Sequence, residues 1–298
     1  MASKGCAAVT PFLAIDWGTT NRRVFHIGAD GAVLATTRDG DGMIAMRGRS
    51  YPDAIAAVRA RFGDLPVLAA GMVGANLGWR DAGYVQVPGG LDALAARAVA
   101  VDDRVWVVPG MARCADGRGD VMRGEEVQLL GAALSGMTPA DALLCQPGTH
   151  CKWARLAAGR IVDFTTAMTG ELFALLKGGG LLAAELGAQV SDGEAFRNGV
   201  TDAKDGDLLA RLFGIRAASV LGLRSAGDHA SYCSGLLIGS DVAARLRDAD
   251  DARVFVLSDP ALGELYATAI AAHGREAVAM GSHAAFVAGI TRLWSLLS

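Results

Sequence analysis

The stretch Phe12-Leu13-Ala14-Ile15-Asp16-Trp17-Gly18-Thr19-Thr20-Asn21-Arg22-Arg23-Val24-Phe25-His26-Ile27 decides the fold. Four apolar residues run into an acid, the pattern of a buried strand with a carboxylate at its end. Trp17 to Asn21 is turn chemistry, and Arg23 to Ile27 resumes strand character. Ala29-Asp30-Gly31 gives a second turn, and Ala32 to Thr37 a third strand. The chain therefore opens on a three-stranded antiparallel meander.

The same unit recurs in the second half. Ala142 to Gln146 reads as a strand, Pro147-Gly148-Thr149-His150 as a turn, and Cys151 to Leu156 and Arg160 to Thr166 as two further strands. Gln146-Pro147-Gly148-Thr149-His150-Cys151-Lys152-Trp153 lies over Asp16-Trp17-Gly18-Thr19-Thr20-Asn21-Arg22-Arg23, with Gly148 on Gly18 and Thr149 on Thr19. Each meander ends in a Thr-Thr pair, Thr36-Thr37 and Thr165-Thr166.

Outward from the two meanders, strands alternate with helices, which indicates α/β organisation. Helical patterns cover Tyr51 to Phe62, Leu91 to Ala100 and Glu125 to Leu134, then Leu208 to Phe213, Ser234 to Asp248, Leu262 to Ala272 and His283 to Leu297. Short apolar runs at Val67–Ala70, Val105–Val108, Val254–Leu257 and Ala277–Met280 read as buried strands. The polar stretch Arg113-Cys114-Ala115-Asp116-Gly117 marks the expected boundary between domains 1–113 and 114–298.

Composition bounds the function classes. The 298 residues are 52% hydrophobic with a net charge of −3, which argues against a general nucleic-acid binder built on clustered Lys and Arg. No apolar run reaches the ~18 residues of a membrane span, and no secretory leader is visible. The five cysteines, Cys6, Cys114, Cys145, Cys151 and Cys233, show no C-x-x-C pair, so reduced thiols in a cytoplasm are expected. Cys145, His150 and Cys151 lie close together, but a zinc site ordinarily draws on a second ligand pair.

Four residues within a five-residue window concentrate phosphate chemistry. A nucleotide needs a carboxylate to hold hydrated Mg²⁺, and hydroxyls and backbone N–H groups that approach phosphate without bulk. Asp16, Gly18, Thr19 and Thr20 supply both, although a plain hairpin turn uses the same residues. Gly148-Thr149-His150 is the matching second loop, and the two would face each other across a cleft. No Walker loop occurs. Met122-Arg123-Gly124-Glu125-Glu126 opens a helix just upstream of the second loop. Phosphoryl transfer to a hydroxyl calls for a carboxylate near the acceptor, while acids at a helix start also serve as dipole partners. Successive helical residues point about 100° apart, so one of the two acids faces the site. Glu125, nearer the glycine, is the expected base, with Glu126 as the alternative. The loop Gly71 to Arg80 mixes an amide, an indole and a guanidinium, suited to a small polyol acid. Substrate candidates are Asn76, Trp79 and Arg80 there, with Asn21, Arg23 and Arg123; Lys152 is a further cation for a carboxylate.

At AIDWGTTN (14–21), AAGMVGANLGW (69–79), VMRGEEVQLLGA (121–132), PGTHCKW (147–153), TAMTGELF (166–173) and SGLLIGSDVA (234–243) the chain resembles the 2-dehydro-3-deoxygalactonokinase family, in the family's order. The resemblance implies two ribonuclease-H-like domains of actin/hexokinase type closing on Mg²⁺-ATP and a six-carbon 2-keto-3-deoxy sugar acid. The terminal hydroxyl would be phosphorylated in galactonate catabolism. Carried over, the first phosphate motif falls on Asp16, Gly18, Thr19 and Thr20. The second falls on Gly148, Thr149, His150 and Lys152. The nucleoside end falls on the Ser258–Leu262 and Gly281-Ser282 regions, where Leu257-Ser258 and Ser282 depart from the usual pattern. A kinase of the same superfamily for another sugar or sugar acid, and a non-kinase ATP-binding regulator, are the rival readings. The assembly is left open, with a homodimer as the case to test.

Overall fold

A computed structural model describes residues 9–115, 117–247 and 249–297. Cys6, Asp116 and Asp248, which entered the cysteine set, the boundary stretch and one expected helix, lie outside the described residues. The chain packs into two compact units. The first comprises Met1–Asp141, Leu156–Phe164 and Ser282–Ser298; the second comprises Ala142–Arg155 and Thr165–Gly281. The division expected at residue 113 places 114–141, 156–164 and 282–298 with the second half instead.

The first unit opens with strands β1 (Phe12–Trp17), β2 (Arg22–Ile27) and β3 (Val33–Asp39). β1 and β2 pair antiparallel, as do β2 and β3. Helix α1 (Tyr51–Phe62) follows, started by Ser50, whose side chain accepts from Asp53 N, and stopped at Gly63. β4 (Val67–Gly71) then returns parallel to β1. Next come β5 (Tyr84–Gln86), α2 (Leu91–Ala95), β6 (Val99–Asp102) and β7 (Val105–Val107). The helix expected over Leu91–Ala100 stops early because Val99 and Ala100 pair with Val107 and Trp106 as a strand. β8 (Gly110–Ala115), β9 (Arg118–Met122) and α3 (Glu125–Leu134) complete this part. Of the stretch expected to be a boundary, Arg113, Cys114 and Ala115 lie on β8, with Arg113 opposite Asp120 and Ala115 opposite Arg118.

The main sheet of this unit runs β3-β2-β1-β4-β7-β6, and β5-β8-β9 form a small second sheet. Alternation along β1 sorts its side chains to two faces. Leu13, Ile15 and Trp17 join Val24 and α1 residues Ile55 and Val58 in one core. On the other face the C-terminal helix, Ser282–Leu297, lays Trp294 on Phe12 (ring centroids 5.0 Å) and Phe286 against Phe25 (5.5 Å). These contacts are why the last residues of the chain pack with the first strands.

The second unit repeats the scheme. β10 (Ala142–Gln146), β11 (Cys151–Ala157) and β12 (Arg160–Ala167) are followed by α4 (Thr169–Gly178), which ends at the Gly178–Gly180 run. Three further helices are α5 (Glu194–Asp202), α6 (Leu208–Val220) and α7 (His229–Leu246). β13 (Arg253–Leu257), α8 (Pro260–Ala272) and β14 (Glu276–Met280) lead to the C-terminal helix, α9. The sheet order is β12-β11-β10-β13-β14, with β10, β13 and β14 parallel. Both sheets share the order third-second-first-fourth followed by a further parallel strand, the first sheet adding antiparallel β6 at its edge, which is the ribonuclease-H-like arrangement expected from the repeated meander. Leu143, Cys145, Trp153, Val254 and Val256 are covered by Phe196, Val242, Tyr266 and Ile270 from α5, α7 and α8.

Candidate functional site

In each unit the parallel strands end at one edge of the sheet, and loops at such carboxyl ends commonly carry ligand groups. In the first unit Asp16 sits at the end of β1, opposite Arg23 on β2 and beside Ala70 on β4. Burial pushes its carboxyl up from 3.8 to about 6; Arg23 pulls the other way and Glu125 adds to the rise. The loop that follows is tight, with Gly18 N donating to Asn21 O at 2.9 Å. Thr19, Thr20 and Asn21 are exposed, and Asn21 Nδ2 donates to the Thr20 hydroxyl at 3.0 Å. Met43 N and Ile44 N support the loop from behind through Gly18 O and Thr19 O, both at 3.0 Å. That backing segment is held by ions the sequence reading missed: buried Arg22 donates to Asp39 (2.8 Å) and Asp41 (3.2 Å), and Arg49 donates to Asp41 (2.6 Å). The Asp39-x-Asp41 spacing beside Gly40 and Gly42 was the available signal.

Two glycines bring Glu125 to Asp16. Gly71 (φ 98°) ends β4 so close to Trp17 that a Cβ there would lie 2.7 Å from its carbonyl oxygen. Gly124 (φ 103°) precedes α3, and a Cβ there would lie 3.1 Å from Gly71 Cα. Both positive φ values and both close approaches select glycine. The start of α3 is thereby pressed against the end of β4, next to the end of β1.

The two acids at that helix start have different surroundings. Glu125 is half-buried and its Oε2 accepts Arg123 N at 3.0 Å. Glu126 is fully buried, and both its oxygens lie 2.8 Å from Gly124 N. Burial and the neighbouring Glu125 raise Glu126 from 4.5 to about 8. The base choice between them thus has a structural counterpart: of the two, only Glu125 reaches solvent.

Arg123 is a buried guanidinium aimed by its neighbours. Its side chain is 5% exposed and lies over the Tyr84 ring, 4.4 Å from the centroid. Nη2 donates to Gly83 O at 3.1 Å, while Nε and Nη1 have no hydrogen-bond partner among the described residues. Gly74 leaves room beside Nη1, since a Cβ there would be 3.1 Å away. Tyr84 was not singled out from the sequence, because nothing local shows that β5 runs under Arg123. In the loop after β4, Asn76 and Arg80 are exposed. Trp79 instead stacks on Tyr51 (5.5 Å, 8° between planes), so its ring packs onto α1.

In the second unit, Thr149 and His150 are exposed between β10 and β11. Gly170 sits against this loop, where a Cβ would come within 3.0 Å of Thr149 Cα. Glu171 N donates to Thr149 O at 2.9 Å, and Glu171 Oε2 meets His150 Nε2 at 2.6 Å. Glu171 is an acid in the first turn of α4, and nothing local in the sequence pairs it with His150. Lys152 is buried, its ammonium donating to the Thr166 hydroxyl at 2.9 Å. Cys145 and Cys151 are buried with sulfurs 3.6 Å apart, while His150 turns to Glu171. Below the loop is a cavity of about 90 Å³ lined by Gly148, Thr169, Phe173, Leu237, Leu262 and Tyr266, among others. Ser258 and Gly281 follow β13 and β14 at the same edge of this sheet.

Two ribonuclease-H-like units, each ending in a glycine-threonine loop, one with a carboxylate and an acid-led helix beside it, define a phosphotransferase of the sugar-kinase class. The 2-keto-3-deoxy-galactonokinase family profile matches residues 16–293, and the chain belongs to that family. It is 36% identical over 284 residues to the 2-dehydro-3-deoxygalactonokinase of Escherichia coli, covering 94% of this chain and 96% of that one. A Rhizobium meliloti protein named as a candidate enzyme of the same kind is 37% identical over 293 residues, covering 94% and 95%. The crystal structure of a candidate 2-dehydro-3-deoxygalactonokinase from Sinorhizobium meliloti superposes with a TM-score of 0.89 at 36% identity, over 95% of this chain and 97% of that one. Membership makes this chain a phosphotransferase with an alcohol acceptor and implies ATP as donor.

Proposed function

We propose that this chain transfers the γ-phosphoryl group of ATP to the terminal hydroxyl of 2-dehydro-3-deoxy-D-galactonate in galactonate catabolism, in the cytoplasm. The observation that carries the reading is the Gly71–Gly124 contact, which sets Glu125 beside Asp16 at the end of β1. Acceptor activation and charge handling then sit side by side, as phosphoryl transfer to a hydroxyl requires.

The residues fit Mg²⁺-ATP. Magnesium keeps most of its waters and takes one or two carboxylates plus phosphate oxygens; Asp16 is such a carboxylate, and hydrated magnesium would neutralise phosphate charge there. Thr19 and Thr20 offer exposed hydroxyls. Thr149, His150 and Lys152 offer a hydroxyl, an imidazole and an ammonium to phosphate. The cavity between α4, α7 and α8 supplies apolar walls for a nucleobase, with Ser258 and Gly281 toward the nucleoside. Glu125 aligns the acceptor hydroxyl and accepts its proton late in the transfer. Arg123, with Nε and Nη1 open and its ring stack fixing the plane, suits a planar carboxylate bidentately. Asn21, Arg23, Asn76 and Arg80 complete the set for the polyol.

The test is ADP release, measured across 2-keto-3-deoxy acids, aldonic acids and neutral sugars. The 2-dehydro-3-deoxy acid should exceed glucose in kcat/KM by roughly 10³-fold or more, because a neutral ligand leaves two buried N–H groups of Arg123 without an acceptor. Equal values for the two would overturn the substrate assignment.

A further inference from the structure

Helix α6 departs from what a surface helix requires. Its inner side is ordinary: Leu212 and Ile215 are buried and share a cluster with Ala230, Tyr232, Cys233 and Leu236. A surface helix then turns polar side chains outward. α6 instead presents Leu209, Phe213 and Val220 to solvent, and the chain continues with exposed Leu221 and Leu223. The spacing of four and seven residues puts the first three on one ridge, roughly 110° round the helix from Leu212 and Ile215.

Beside this ridge runs a row of small residues, Ala210, Gly214 and Ala217. Gly214 has helical backbone, and nothing in its own chain lies within 4 Å of where a Cβ would be. A helix-interior glycine costs about 1 kcal/mol relative to alanine. Neither backbone strain nor internal packing accounts for it here; close approach of another molecule would.

We propose that this face is a self-association surface, on which α6 of a second copy packs antiparallel about a two-fold axis. A two-fold interface needs a patch that complements itself. Ridge and groove lie side by side on α6, so each copy's Leu209-Phe213-Val220 ridge seats in the other's Ala210-Gly214-Ala217 groove. Antiparallel pairing also sets the positive start of each helix against the negative end of the other. The flanking charges are already paired within the chain, Arg211 with Asp202 and Asp205, and Arg216 with Glu185. Covering the ridge therefore strands no charge. The five apolar side chains are 62–81% exposed. They offer roughly 600 Å² of apolar surface, at the upper end of the ~300–600 Å² of a monomer's largest patch and approaching the ~800 Å² each partner gives to a standard interface.

Sedimentation equilibrium on the full chain at micromolar concentration should give twice the 30.7 kDa chain mass. Phe213→Glu should raise the dimer Kd by roughly 100-fold or more while far-UV circular dichroism stays that of the parent. Gly214→Cys, in a Cys6→Ser, Cys114→Ser background, should give a disulfide-linked dimer under mild oxidation that the background protein does not. This second readout decides the matter if Phe213→Glu fails to fold. Leu34→Glu, on the exposed edge strand β3, should leave the dimer intact. A monomer at every concentration would overturn the proposal, since the face would then be bare or made for another partner. So would a dimer that survives Phe213→Glu and does not cross-link through position 214, or one that Leu34→Glu dissociates.

Discussion

The two hairpin loops stand on the same strand order yet carry opposite chemistry. At corresponding positions the first unit has Asp16 and the second Gln146. The following strand carries a buried cation in both, Arg22 and Lys152, 6% and 4% exposed. Arg22 is held by two carboxylates of its own unit, so its charge is used up in bracing the loop. Lys152 donates instead to the Thr166 hydroxyl. One scaffold used twice has become an acid-bearing loop and a base-bearing loop. The fold sets where a loop stands, and single residues set which charge it presents.

The sharpest way to break this contrast is at the acid. Asp16→Asn should lower kcat by roughly 10²–10⁴-fold, by analogy with loss of other transition-state charge stabilisers, while calorimetric binding of the sugar acid without nucleotide stays within about threefold. Collapse of sugar-acid affinity in a folded variant would move Asp16 from the metal to the acceptor. Glu125→Gln should likewise cost about 10²–10⁴-fold in kcat, whereas Glu126→Gln should stay within roughly tenfold. The reverse pattern would exchange the two assignments. On the basic side, Lys152→Met should reduce kcat/KM for ATP by roughly 100-fold, as loss of a charge-assisted contact does, and leave sugar-acid binding alone. An effect confined to the sugar acid would assign Lys152 to its carboxylate instead. Arg123→Lys should raise KM for the keto acid about tenfold or more and barely change a neutral sugar, because an ammonium cannot reproduce the planar fork.

The smallest expected effect lies in stability. Folded Glu126 holds its proton up to about pH 8, against 4.5 for the ordinary carboxyl. Between those values the folded chain binds more protons than the unfolded one, so stability falls as pH rises through this window. The contribution is complete below pH 4.5 and gone above pH 8. Glu126→Gln should flatten the profile and raise stability at pH 8 by about 2 kcal/mol, read as a Tm gain of a few degrees. A lower Tm at pH 8 would mean that the Glu126 carboxylate stabilises the helix start more than its burial costs.

The fold was legible because the deciding signals are local. Tyr51–Phe62 and Glu125–Leu134 have helical spacing within themselves, and both formed as read. The meander could be seen twice because turn glycines and Thr-Thr ends recur in the same order. Misreadings arose where partners distant in sequence decide. Val99 and Ala100 became a strand only because β7 lies alongside. Arg113–Ala115 looked like part of a linker, yet they pair with Arg118–Asp120, a partner segment the local residues do not announce. The candidate acids and phosphate loops stood out by type and spacing. Tyr84 under Arg123, Glu171 beside His150 and the Arg22–Asp39–Asp41–Arg49 brace did not, since each contact joins segments that only the folded chain brings together. Trp79 was legible as an aromatic in a useful loop, but its stacking on Tyr51 was not.

The place of the C-terminal helix bears on how the protein is made. Trp294 donates to Thr10 O at 2.8 Å and stacks on Phe12, so the first strand and the last helix share a core. During synthesis the opening meander emerges first yet waits for the final residues, whereas most of the second unit, Thr165–Gly281, is contiguous and leaves the ribosome ahead of them. A chain cut short by its last turns would carry a finished second unit and a first unit with Phe12 and Phe25 uncovered, a natural target for chaperones and proteases. Truncation ahead of Phe286 should therefore be as damaging as truncation far upstream, because Phe12 and Phe25 lose their cover.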